Sequence, residues 1–472
     1  MSTAANTSSV EQQTSRATRI RFIVLSFLLV LAFLTYFDRV CIASAQKDIK
    51  ADLGLSDSQM GYILGGFWFT YALFEIPGGW MGDRFGSRKT LSRIVLAWSF
   101  FTALSGAATG FVSLLTYRLL FGAGEAGAFP NMARVQSRWF PRAAQGRIGG
   151  TLWMVSRWGG AFSYLLFPSL IAFLNFPTTR HFLASVPLLS HFQAASAWRM
   201  AFWICGIVGI VWVISFFSWF RDNPAQKEGV NEAELTHINS DRGEVLHTHE
   251  KLDARTWRAL FSSRHLWFIA LAYMCGSFGW SFFVSWMKPY LATAHHPGEK
   301  LQNWLDMLPL FVGGATCVLG GVLTDALLRR TGRTRFSRAL FPACGFAIAA
   351  ISMACIPFAP NTATAVGLMC LGSFGNDLGQ AGEWASVISI GGRYAGTAFG
   401  FINMVANIVG NTLQPIIGPW VFHTYGWPPL FVLYGAVFAT ASLLWLFIDP
   451  SKRFYEDAAD SKSHSFPIEP NA

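Results

Sequence analysis

Gly79-Trp80-Met81-Gly82-Asp83-Arg84-Phe85-Gly86-Ser87-Arg88-Lys89 joins the end of one apolar run, residues 59 to 82, to the start of another, 89 to 109. A short glycine-rich, basic stretch between two runs of membrane-spanning length reads as a tight turn returning the chain to the face it left. The pattern has an echo in Gly321-Val322-Leu323-Thr324-Asp325, followed by Arg329, Arg330 and Arg333. Both stretches close an even-numbered span. In each, the carboxylate can face the end of a neighbouring helix or the nearby basic groups, a contact able to hold one conformation. Asp83, Arg84, Arg88 and Asp325 are therefore the expected conformational latch.

Outward from that turn, the 472 residues are 52% hydrophobic and 13% charged, with 19 Trp and 43 Phe, a composition far from that of soluble globular chains. Twelve apolar runs have the roughly 20 residues that span a hydrocarbon core of ~30 Å. They are 20 to 45, 59 to 82, 89 to 109, 112 to 137, 147 to 174, 198 to 220, 266 to 294, 302 to 327, 337 to 357, 362 to 386, 395 to 422 and 427 to 449. The first follows Arg16, Arg19 and Arg21 and has no small-residue cleavage site before Asp38, so it is expected to be a retained helix and not a removable signal. The seven cysteines stand singly in apolar segments, without CxxC or His spacing. That pattern argues against a metal site or a disulfide framework and for packing roles.

The formal charge of +10 does not call for a nucleic-acid partner, because of how it is distributed. With the amino terminus inside, 27 of 36 Lys and Arg lie on the cytoplasmic side. Lys47, Lys50, Arg180, Arg199, Lys288 and Lys300 lie outside, and three arginines lie within the membrane. This positive-inside bias puts both termini in the cytoplasm. The longest polar stretch divides the spans six and six. The expected organisation is a cytoplasmic tail 1–19, a six-helix bundle 20–220, a cytoplasmic linker 221–265, a second six-helix bundle 266–449 and a cytoplasmic tail 450–472. A shift of 250 residues aligns Gly150, Met154, Val155 and Gly160 with Gly400, Met404, Val405 and Gly410, a weak sign that the halves are related.

The three intramembrane arginines are Arg39, Arg118 and Arg157, with Asp38 and Glu125 close by in sequence. A charge at bilayer depth costs about 2.5–3.5 kcal/mol on insertion scales, so it serves function or pairs internally. Arg118 and Glu125 are seven apart, within about 20° of the same helical face but ~10 Å apart along the axis. A direct pair between them is not expected, which leaves the arginine for a ligand carboxylate. Its planar fork suits that ligand because it donates two parallel hydrogen bonds and stays charged when desolvated.

These residues carry a resemblance. Residues 79 to 89 match nearly throughout the loop signature of the major facilitator superfamily, and the likeness extends over 20 to 450. Within that superfamily, Tyr36-Phe37-Asp38-Arg39, Tyr117-Arg118, Gly124-Glu125-Ala126-Gly127, Arg138-Trp139-Phe140-Pro141 and the glycine-rich, asparagine-bearing eleventh span are similar to the anion:cation symporters. Galactonate, glucarate, hexuronate and vesicular glutamate carriers belong to that group. The resemblance implies an all-α membrane fold: two pseudo-symmetric six-helix bundles around a cavity that opens alternately to each side. It further implies a multi-pass protein of the bacterial inner membrane, functional as a monomer and without a cofactor. The proton gradient is the energy source, and the partners are a small anion, protons and the lipid bilayer.

Arg39 and Arg118 are the expected anion clamps, although both could instead neutralise Asp38 and Glu125 permanently. Burial favours the neutral form of a carboxylate and a neighbouring arginine the charged one, so Asp38 and Glu125 are poised to exchange protons during a cycle. Tyr36 lies about 200° around the helix from Asp38 and is either a packing aromatic or, as the resemblance implies, a hydroxyl contact to substrate. Arg157 departs from galactonate-type relatives, which carry an uncharged polar residue there. A third anion contact, for a dicarboxylate or more acidic substrate, and a pair with Glu125 explain it equally well. On the second half, Asn376, Asp377, Gln380, Glu383 and Trp384, then Asn403, Asn407, Asn411 and Gln414, recur at helical spacing. Amides match sugar hydroxyls and Trp384 offers a face for a carbon skeleton, although the polar groups could equally be packing glue between helices. The resemblance singles out Trp384 and either Asn403 or Asn407. Asp377 and Glu383 could balance Arg393 or join a gate. The segment Trp286-Met287-Lys288-Pro289-Tyr290-Leu291 also departs from the family's Trp-x-Pro-x-Tyr-Leu.

The expected activity is proton-coupled import of a sugar acid such as an aldonate, uronate or aldarate. An organophosphate:phosphate exchanger is the nearest rival, but Leu266 to Met287 contains no arginine to mirror those of the first half. A metabolite sensor would need a signalling domain larger than the linker or tail. An enzyme would need a cofactor loop, nucleophile elbow or metal spacing that does not stand out.

Overall fold

The computed structural model describes residues 16–185, 195–240, 254–391 and 395–453, and no strand occurs among them. The first half runs α1 (Ile20–Ser44), α2 (Asp57–Phe85), α3 (Ser87–Ser105), α4 in two pieces (Phe111–Glu125 and Ala128–Trp139), α5 (Arg142–Asn175) and α6 (Ala197–Trp219). The second runs α7 (Arg264–Ser285), α8 (Glu299–Thr331), α9 (Thr334–Cys355), α10 in two pieces (Thr362–Leu378 and Gln380–Gly391), α11 and α12 (Trp427–Phe447). α11 consists of Ala395–Val405, a π-turn at Ala406–Asn411, and Thr412–Tyr425. Seven of these, α1, α5, α6, α7, α8, α9 and α12, are individually long and apolar enough to cross a bilayer. Of the remainder, α4, α10 and α11 are divided, α2 carries Glu75 within its apolar stretch, and α3 opens with Arg88, Lys89 and Arg93. Large apolar side chains such as Phe173, Ile214, Ile351 and Leu446 are exposed around the outside. On a soluble protein such a surface would aggregate; facing lipid, it is the required one.

Local chemistry sets the helix ends. Ser56 and Gln59 form a capping box at the start of α2, and Asn361 accepts from the Thr364 N–H at the start of α10. At the turn between α2 and α3, Gly86 has φ +83°, and a Cβ there would lie 2.7 Å from Asp222 Oδ2. Asp222 accepts from the N–H groups of Ser87 (2.7 Å) and Arg88 (3.1 Å), so a carboxylate does sit on the positive end of a neighbouring helix, but it comes from the segment just past α6. Arg88 in turn donates to the Phe217 carbonyl at 2.8 Å. Arg84 lies over the rings of Trp80 and Phe85, and Asp325 is exposed. The Asp83 side chain falls outside the described residues. The contacts found at the expected latch therefore hold the first half together internally.

The linker is anchored rather than loose at its near end. Glu234, in the short helix Glu232–Asn239, accepts from the N–H groups of Ile20 (3.2 Å) and Arg21 (3.1 Å) and pairs with the Arg21 guanidinium at 3.1 Å. A carboxylate thus caps the first turn of α1.

The halves meet along α5 against α8 and α2 against α11. At the end opposite the termini they close on each other. A Cβ on Gly61 would lie 2.2 Å from the Pro415 carbonyl oxygen, and one on Gly65 would lie 2.6 Å from that of Thr412. Around this seam Gln46 Nε2 donates to the Ser285 carbonyl (2.8 Å), Lys288 Nζ to that of Ser44 (2.7 Å), and His423 meets Asp57 at 3.0 Å. Gly61→Val should force the seam apart while leaving each half folded. In a background lacking the native cysteines, Ile416→Cys should then label faster with a water-soluble maleimide than it does beside Gly61.

Candidate functional site

Three helix breaks build the site. In α4 the helix stops at Glu125, Gly127 takes φ +87°, and a Cβ on Gly127 would lie 2.6 Å from the Gly78 backbone of α2. Asn131 Nδ2 bridges the break, donating to the carbonyls of Gly78 (3.0 Å) and Gly127 (2.8 Å). Glu125 is fully buried in the last turn of its helix piece, where the backbone dipole already presents negative charge. Arg39 meets this unfavourable placement: its Nε donates to Glu125 Oε1 at 2.6 Å. The Arg39 guanidinium also lies 4.5 Å from the Tyr71 ring centroid and 4.8 Å from that of Tyr36, a setting that favours a cation. Its Nη2 has no hydrogen-bond partner among the described residues.

In α10 the break at Gly379 separates Asp377, in the last turn of one piece, from Glu383, in the first turn of the next. Gly379 is required because a Cβ would lie 2.5 Å from Pro342 of α9. In α11 the π-turn, a feature frequent at functional sites, sets Asn407 beside Asn411, whose Nδ2 donates to Asn407 Oδ1 at 2.7 Å.

Together these elements enclose a cavity between the halves with about 680 Å³ of atom-free space. Tyr36, Arg39, Arg157, Trp384, Asn403 and Asn407 all line it, joined by Asn376, Gln380, Glu383 and Asn411. Trp384 stacks on Phe399 (4.0 Å between centroids) and meets Trp153 of the opposite half at 5.5 Å. Arg118 is not in this cavity. It lines a smaller one of about 300 Å³ that also touches Arg39, and its Nε has no partner among the described residues. Asp38 and Glu125 lie behind the wall. Asp38 stands among buried groups, its carboxylate within 4.8 Å of the thiols of Cys41 and Cys205. Those two cysteines pack as expected, whereas Cys344 and Cys355 are exposed.

Arg157 does not pair with Glu125. Its Nη2 contacts Asp377 Oδ1 at 2.8 Å across the two halves, and Asn376 Nδ2 donates to the same oxygen at 2.9 Å. Glu125 pairs with Arg39 instead. Asp377 thereby has its partner in Arg157; Arg393 lies outside the described residues. Lys288 bonds Asn303 Oδ1 (3.3 Å) as well as Ser44. Glu75 and Tyr71 of α2 line the cavity without having been singled out. The signal for Glu75 was available: it is an acid in the middle of an apolar run, subject to the same cost argument as the arginines.

The pattern that defines the Major Facilitator Superfamily matches residues 28–411. The chain belongs to the major facilitator superfamily. It is 31% identical, over 92% of its length and 94% of the relative's, to the probable sulfoacetate transporter SauU of Cupriavidus necator. The probable galactarate/D-glucarate transporter GudP of Bacillus subtilis is 28% identical (93% and 94% covered) and the D-galactonate transporter of Escherichia coli O6:H1 27% (91% and 96%). Among solved folds, a bacterial homologue of the human lysosomal transporter Spinster, inward-facing and unoccupied, superposes with a TM-score of 0.69 at 20% identity, covering 93% of this chain and 96% of that one. The proton:xylose symporter XylE, bound to 6-bromo-6-deoxy-D-glucose, does so at 0.61 and 16%, covering 92% and 96%. The architecture is thus the major facilitator one, twelve helices in a multi-pass membrane transporter.

In this major facilitator chain the Arg157–Asp377 pair is buried on both sides. Removing one member of such a pair leaves an uncompensated charge, at a cost of about 3–5 kcal/mol. Arg157→Met should therefore lower the thermal stability of the purified protein sharply. Arg157→Met combined with Asp377→Leu should recover most of the loss.

Proposed function

We propose that this chain imports a small organic anion by proton-coupled alternating access, with a sugar acid (an aldonate, uronate or aldarate) as the cargo class. The observation that carries this reading is the cavity between the halves. Two guanidinium groups, Arg39 and Arg157, face it beside the amides of Gln380, Asn403, Asn407 and Asn411 and the ring of Trp384. Cations supply affinity for a carboxylate, amides match hydroxyls, and an indole face covers a carbon chain. Galactarate, glucarate and galactonate transporters are among the relatives.

A second reading is favoured by Arg157 together with the sulfoacetate relative: a compact dianion whose two acidic ends meet Arg39 and Arg157 in turn. In either case substrate and proton load from the periplasm, the halves rock about the site, and release faces the cytoplasm, where both termini lie. The closed seam at the end opposite the termini corresponds to the inward-facing arrangement. Protons reach Asp38 and Glu125, and protonation of Glu125 frees Arg39 for the anion. The inner membrane is the location, the monomer is the working unit, and the proton gradient takes the place of a cofactor. No catalytic step is needed.

Thermal-shift screening of the purified protein separates the readings, because a ligand stabilises the state it binds. Galactarate, galactonate or glucuronate should raise Tm under the first reading and sulfoacetate under the second; stabilisation by phosphate esters alone would reject both. Arg39→Ala should abolish the shift caused by the best anion while the protein still purifies; an undiminished shift removes Arg39 from the clamp. Glu125→Gln should retain exchange of labelled anion in vesicles but lose accumulation driven by a pH gradient, since exchange need not return an empty, deprotonated carrier. Persistent accumulation would put the proton elsewhere.

A further inference from the structure

Glu75 is buried on α2, two residues before Pro77, and faces the cavity. Its carboxyl is hydrogen-bonded to the side-chain amide of Asn403 on α11, so the contact spans the two halves. The titratable groups that share the cavity with it are Tyr71 one turn earlier on α2, Tyr36 and Arg39 on α1, Arg157 on α5, Tyr273 on α7 and Glu383 on α10. Both cations are engaged, Arg39 by Glu125 and Arg157 by Asp377. Among the described residues Glu75 has no ion-pair partner.

Two arguments converge on what this acid does. The first is charge balance. Around the cavity and behind its wall, three buried guanidinium groups (Arg39, Arg118, Arg157) stand against five buried carboxyls: Asp38, Glu75, Glu125, Asp377 and Glu383. Fully ionised, the site would be net negative and would repel an anion at low dielectric. The second is hydrogen-bond chemistry. A neutral carboxyl both donates and accepts and so can exchange two bonds with a primary amide, whereas a carboxylate only accepts. Either form accepts the Asn403 N–H that links α2 to α11, but only the neutral acid leaves room for negative charge beside it.

Resting on the proton-coupled reading above, we propose that Glu75 is a further proton-binding residue of the cycle. As a neutral acid it bonds Asn403 and admits the anion. On losing its proton to the cytoplasmic side it becomes a carboxylate that expels the anion while still accepting from Asn403. Proton delivery is then divided between the Asp38 and Glu125 region behind the wall and an acid in direct view of the cargo.

Infrared titration of the purified, ligand-free protein tests this directly. Wild type should show the carbonyl stretch of a neutral carboxyl that fades as the pH is raised and that is missing from isosteric Glu75→Gln. Asn403→Leu, which keeps the acid but removes its amide, should shift the frequency of the same band. Spectra of Glu75→Gln and wild type that superimpose across the titration overturn the assignment, and do so without touching the transport reading, which is judged by the anion screen. With galactarate or sulfoacetate as probe in weakly buffered solution, at a pH where that band has faded from the ligand-free protein, proton uptake per bound anion should fall by about one in Glu75→Gln, as linkage requires. Unchanged uptake would equally reject the role.

Discussion

A charge carried into a bilayer must be answered within the reach of its own side chain, and the contact of Arg39 with Glu125 at 2.6 Å is where this protein meets that demand. The consequences spread outward. Glu125 can occupy the negative end of its helix piece only because a guanidinium lies against it. The helix can end there only because Gly127 and Gly78 let two backbones touch. Arg157 finds its counter-ion, Asp377, on the other half of the molecule. The cavity between the halves is thus edged by cations whose charges are balanced from behind and from across, leaving their remaining donors for a guest.

The irregular segments follow the same logic. Within a membrane, backbone outside the regular helix is tolerated only where protein or a polar cavity satisfies it. Here the interruptions in α4, α10 and α11 all border the space between the halves or the wall behind it. Each delivers a polar side chain that a straight helix would have placed elsewhere: Glu125 at one terminus, Asp377 and Glu383 on either side of another, Asn407 and Asn411 together on the widened turn. The polar side chains that border the space between the halves are thereby held on short, packed helix pieces instead of mobile loops.

Much of the fold was readable from hydropathy alone, because span length and the basic turn after α2 are local properties of the chain. The spans 112 to 137, 362 to 386 and 395 to 422 were located, but their interruptions were not. A break at Gly127 or Gly379 depends on a second helix arriving at contact distance, which no local pattern records. The lining residues Tyr36, Arg39, Arg157, Trp384, Asn403 and Asn407 were identifiable as polar or aromatic groups at membrane depth. Their partners were not: Arg157 finds Asp377 220 positions later, and the acid at the start of α3 proves to be Asp222. Arg118, ranked with Arg39 on sequence, lies in a separate smaller pocket, because helical phase fixes a face but not which of two neighbouring spaces that face meets. Glu75 went unnoticed as a lone acid without a neighbouring arginine in sequence, although the same desolvation cost applied to it.

Where Gly61 and Gly65 lie on the carbonyls of Pro415 and Thr412, nothing softer than main chain separates α2 from α11. Side chains can swing aside under load, but peptide planes cannot. That strip is therefore a hard stop: here the two helices can part or slide but cannot press closer. How tightly this end of the molecule can shut is then fixed by main chain, whatever rotamers the neighbouring side chains adopt.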